Sequence, residues 1–164
     1  MKPSKINVLK AKKAIFLLPK FRALVWKGIA YCKDKSDIQL INFEDKISSD
    51  FESHEITHVK QAESTHDSWF CFYTLYLWYW ILNFPLFIRG LYIPYYFIPF
   101  ELEAMAHETD WNYPTNGAVY EWKKFKLSLK QKLYFSKDYK DNYKEYNLKW
   151  YIKNVIYHVI INVD

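Results

Sequence analysis

Two imidazoles and a carboxylate crowd the pentapeptide His54-Glu55-Ile56-Thr57-His58. On a helix, residues four apart share a face, so His54 and His58 can offer two ring nitrogens to one metal ion. Glu55 lies beside them, in place to take a proton from a water that such an ion activates. The plainer reading is a surface helix that carries two histidines. Two neighbouring features weigh against it. Ser49-Asp50-Phe51-Glu52 has the S-x-x-E form of a capping box, which predicts a helix starting near Ser49, and no Pro or Gly interrupts the run to Thr65. The β-branched Thr57 costs such a helix little.

A catalytic zinc ordinarily takes three protein ligands and keeps one position for water. The extended pattern with a third histidine fails here, because position 61 is Gln and position 64 is Ser. Downstream, Pro99-Phe100-Glu101-Leu102-Glu103-Ala104 offers another source. Pro99 suits the first position of a helix, and acidic residues follow in its first turn.

The two motifs in this order, His54-Glu55-x-x-His58-Val59-x-Gln61 and Pro99-Phe100-Glu101-x-Glu103-Ala104, resemble those of small bacterial and phage zinc metallopeptidases of the gluzincin type. The resemblance spans roughly residues 20 to 110. It implies an α+β, zincin-like fold in which a small antiparallel sheet packs on the HExxH helix and on a second, ligand-bearing helix. It implies Zn2+ as cofactor, His54, His58 and Glu101 as ligands, Glu55 as general base, and a peptide or protein substrate. Glu103 is the alternative third ligand, since either carboxylate fits one helical turn. The one that does not bind metal would be a hydrogen-bond partner of the site or a surface charge. His107 is a candidate to stabilise an oxyanion or to orient a ligand, against the simpler reading of a partly exposed helix residue. His66 is expected to close the HExxH helix, and His158 to lie in a strand.

Composition bounds the other possibilities. The chain has 164 residues, enough for one domain with a real core. Its net charge of +5 comes almost wholly from lysine, with arginine only at 22 and 89, so the Arg forks that favour nucleic acid are scarce and no nucleic-acid partner is expected. Cys32 and Cys71 lack metal-site spacing, which argues against a structural zinc or a disulfide framework and fits a reducing, cytoplasmic setting.

The elements that must position the motif read as follows. Residues 1–20 form a basic segment whose apolar run, Ala14 to Leu18, is too short for a cleavable signal peptide and reads as a short amphipathic piece that touches a membrane surface. Ala23–Tyr31 and Ile38–Phe43 read as two strands joined by a turn at 33–37. Trp69 to Ile88 is uncharged and aromatic, part of an insertion over 69–98. One membrane crossing there would separate the two motifs, so the stretch is expected to be a buried helix walling the cleft, with a peripheral membrane contact as the other reading. Tyr92, Tyr95 and Tyr96 would line the approach to the second helix. In the C-terminal extension, 119–164, an amphipathic helix is expected over 119–135, then a mixed-charge stretch and a last apolar run, Trp150–Val163. The competing function is a catalytically inactive zincin-like module that binds a membrane or protein partner through its aromatic segment.

Overall fold

The computed structural model describes residues 2–6, 9–14, 22–41, 46–116 and 121–141. The chain is α+β. Among the described residues it has one three-stranded mixed sheet and six α-helices. The chain divides into two compact units, residues 1–72 with 107–120, and residues 73–106 with 121–164.

The first unit holds the sheet. Strands β1 (Lys10–Lys13), β2 (Ala23–Trp26) and β3 (Ile29–Cys32) lie in the order β1-β3-β2. β2 and β3 pair antiparallel through a two-residue hairpin, with Trp26 opposite Ile29. Lys27 and Gly28 both have positive φ, at 49° and 80°, as the tightest hairpin turns require. A side chain at 28 would also strike Ile6, whose Cδ1 is 2.2 Å from where a Cβ would sit. The sheet is therefore not antiparallel throughout, because β1 pairs parallel with β3, Lys10 opposite Ile29. The expected turn at 33–37 is instead the start of a short helix, α1 (Lys35–Gln39). Asp37 on that helix is buried and takes the Arg22 guanidinium, which also covers the Phe51 ring. The hairpin thus lies within residues 23–32, and the second expected strand instead begins inside α1, at Ile38 and Gln39, and turns at Leu40 and Ile41; its end, 42–43, lies outside the described residues. The basic segment likewise contributes an edge strand at 10–13, not a free amphipathic piece, while 15–18 lie outside the described residues.

α2 (Asp50–Ser64) starts where the capping box places it. Ser49 Oγ accepts the Glu52 N–H at 3.0 Å, and Glu52 reaches back to the N–H and hydroxyl of Ser48, one residue earlier than a standard box. The helix ends where His66 and Asp67 turn to positive φ. Asp67 then accepts hydrogen bonds from the Ser4 N–H and hydroxyl, which tie the amino-terminal 3₁₀ turn (Pro3–Lys5) to this end and hold the Asp67 carboxyl below its usual range.

α3 (Trp69–Leu82) begins in the first unit and continues into the second, where a 3₁₀ turn (Phe84–Ile88), α4 (Ile93–Tyr96), α5 (Pro99–His107) and α6 (Leu129–Asp141) follow. The core of the second unit comprises Leu86, Ile93, Phe97, Leu102, Met105, Phe125 and Leu127. Over its described part, 121–135, the helix expected over 119–135 is two elements, a 3₁₀ turn (Trp122–Phe125) and α6, separated by a short link at 126–128 in which Lys126 is extended, while 119–120 lie outside the described residues. Residues 142–164, with His158 and the last apolar run, lie outside the described residues.

Lys132 of α6 is buried, and its Nζ donates to Asn83 Oδ1, while Asn83 Nδ2 donates to the Pro94 carbonyl at 2.7 Å. Burial pushes the Lys132 ammonium down to about 8. Because the unfolded chain holds that proton up to its ordinary value of 10.5, unfolding takes up a proton between those limits, and stability rises with pH across that window. Urea unfolding of the wild type should therefore show a gain on the order of 1–2 kcal/mol from pH 8 to 10.5 that Lys132→Met lacks. Equal pH slopes in the two proteins would contradict it.

Candidate metal centre

α2 presents His54, Glu55 and His58 within its first two and a half turns. The two histidine rings meet edge to face with centroids 4.9 Å apart, as the four-residue spacing requires. His58 is buried, and its Nδ1 lies 2.8 Å from Gln61 Oε1, one turn further on. An amide oxygen only accepts, so Nδ1 carries the ring proton and the lone pair of the neutral imidazole falls on Nε2. Gln61 therefore does for His58 what a carboxylate often does for a ligand histidine. His54 has a real carboxylate, with Glu108 Oε2 3.5 Å from its Nδ1. Phe72, 6.3 Å from the His58 ring between centroids, adds an apolar wall.

Glu55 is buried on the same helix. It is close enough to β3 for its charge to be felt at Cys32, whose thiol is pushed up to about 12, first by burial and then by the Glu55 and Asp37 carboxylates.

The two glutamates of α5 have different partners. Glu101 Oε1 accepts the Tyr76 hydroxyl of α3 at 2.7 Å, and the Tyr76 ring stacks parallel to Phe100. Glu103 Oε1 accepts the backbone N–H of Glu121. One donor atom from each of His54, His58 and Glu101 lies within 4.8 Å of the others, a group able to hold a metal ion. Glu103 is not in that group. The proline-led start expected for α5 is found, at Pro99. His107 is the last residue of α5, and its ring lies flat on Tyr113 with centroids 3.7 Å apart.

Tyr76 is the residue that sequence reasoning missed. The tyrosines that the sequence singles out are Tyr92, Tyr95 and Tyr96, of which the last two pack against each other. Nothing in its spacing distinguishes Tyr76 among the aromatics of α3; only the fold brings it to a carboxylate 25 residues away. The aromatic stretch also differs from expectation. Only Trp69 and Phe72 of α3 are buried, so it is not a core helix. No helix among the described residues is long and apolar enough to cross a membrane.

Comparison with protein-family models, with curated proteins and with solved structures finds no match to this chain.

Proposed function

We propose that this chain is a zinc-dependent metallopeptidase of zincin-like type, with His54, His58 and Glu101 as the metal ligands and Glu55 as the general base. The observation that carries the reading is the convergence of those three donors beside a buried glutamate. Two imidazoles and one carboxylate are a donor set that catalytic zinc favours. The partners of the ligands support the same assignment, since Gln61, Glu108 and Tyr76 each fix one of them.

Zinc bound here would acidify a water and polarise the carbonyl of the scissile bond. The remaining chemistry belongs to the chain. A Glu55 carboxylate oxygen accepts the proton of the attacking water as its oxygen bonds to the carbonyl carbon. The same oxygen then returns that proton to the departing amine as the C–N bond breaks. An extended substrate would pair with an edge of the sheet, where main-chain hydrogen bonds give affinity without regard to sequence. Among the described residues the edges are β1 and β2.

The test is chelation and reconstitution. Purified protein should contain one zinc per chain and should cleave an unstructured protein such as casein. It should lose that activity with its metal under a chelator, and regain both when zinc is restored. A preparation that takes up no stoichiometric metal would overturn the reading.

A further inference from the structure

The geometry points to a docking surface for an anionic lipid bilayer on the solvent side of α3 and the 3₁₀ turn that follows it. From Ser68 to Phe100 the chain carries one charged side chain, Arg89, and no acid. A helix facing water on one side ordinarily places its charges there. α3 instead places Leu77, Trp78, Ile81 and Leu82 there, two i,i+4 pairs, and the turn adds Phe84 and Ile88. Leu77 and Trp78 are 54% and 55% exposed and Ile88 is 72% exposed. Together these side chains leave on the order of 500 Å² of apolar surface in water, near the top of the range for a protein with no partner on that face. The other side of the helix is already used, with Tyr76 and Tyr79 packed on Phe100.

Length and charge identify the occupant. At 1.5 Å per residue α3 is about 21 Å long, short of the roughly 30 Å needed to cross the hydrocarbon core. Such a helix lies in the interfacial plane, where Trp and Tyr rings are favoured at the level of the headgroups. Cationic groups border the helix on its Tyr79 side. Lys126 Nζ lies 5.5 Å from the centre of the Tyr79 ring and 5.0 Å from that of Trp122, and Lys123 lies 5.7 Å from the latter. Both lysines are exposed. An apolar strip with no acid and a lysine flank complements a surface of acyl chains under phosphate headgroups. A symmetric second copy would set Lys123 and Lys126 against lysines, since the acid of that turn, Glu121, is already paired with Lys124. The docking surface does not depend on the metal centre, so protein stripped of metal should bind equally well.

The experiment is co-sedimentation of the full chain with vesicles of phosphatidylcholine alone or mixed with phosphatidylglycerol. Binding is expected to the mixed vesicles and to weaken as salt is raised. Leu77→Asp should weaken it at least tenfold, and loss of both Lys123 and Lys126 (each to Ala) should do the same for the mixed vesicles only. A second readout needs no charged substitution. Brominated acyl chains should quench the tryptophan emission of the wild type more than that of Trp78→Phe. Protein that stays in solution with both vesicles, or that Leu77→Asp leaves bound, would overturn the proposal. So would a lipid-free dimer that Leu77→Asp dissociates, which would assign the face to a second copy. So too would a lipid-free monomer in which Trp78 is already shielded from a soluble quencher, which would assign it to the chain itself.

Discussion

Glu101→Ala is expected to leave the protein without stoichiometric zinc, whereas Glu103→Ala should keep one ion per chain. Both side chains are buried, two residues apart on one short helix, yet the fold has given them different work. Glu101 stands with His54 and His58, held by the Tyr76 hydroxyl. If binding at such a centre is worth about 10–16 kcal/mol shared among its ligands, removing one of three costs at least ~3 kcal/mol, more than a hundredfold in affinity. Glu103 holds a backbone N–H of the second unit, that of Glu121. Its loss orphans a partly buried donor, a cost of about 1–3 kcal/mol that should appear as a lower melting temperature, not as lost metal. Elemental analysis beside thermal unfolding separates the two outcomes. Zinc lost from Glu103→Ala and retained by Glu101→Ala would reverse the assignment of the third ligand.

Glu55→Gln should abolish turnover while the metal stays. The substitution keeps the shape of the side chain and removes its capacity to accept a proton. General-base catalysis is worth about 10²–10⁴-fold, and a drop in kcat of that size is expected at unchanged zinc content. Glu55 is not among the three donors that converge, so metal retention follows from the geometry. Hydrolysis that survives the substitution would remove Glu55 from the mechanism. Zinc lost along with activity would make it a ligand.

What could be read from the sequence, and what could not, divides by the range of the signal. The start of α2 follows from Ser49 and Glu52, and that of α5 from Pro99, because capping chemistry is complete within four residues. The pairing of His54 with His58 follows from helical geometry alone. The hairpin at Lys27-Gly28 was hidden because its first turn position is Lys, not the Asn or Asp that usually marks such a turn. The parallel partnership of β1 with β3 joins segments that lie almost twenty residues apart and differ in composition. Glu101 and Glu103 could not be separated by pattern, since the choice depends on which neighbours meet each side of α5. Hydropathy suggested a buried α3, but hydropathy reports what a segment prefers, and this helix leaves Leu77 and Trp78 facing water.

The thiol near Glu55 gives the site a chemical temperament of its own. Oxidation of cysteine by peroxide starts from the thiolate, and Cys32, its ionisation pushed up to about 12, offers almost none at neutral pH. The sulfur of β3 is therefore slow to become a sulfenic acid, and it does not compete with imidazole for a thiophilic ion. Peroxide should therefore leave Cys32 unmodified, a buried, hydrocarbon-like filler of β3 whose charge neighbours include the Glu55 and Asp37 carboxylates.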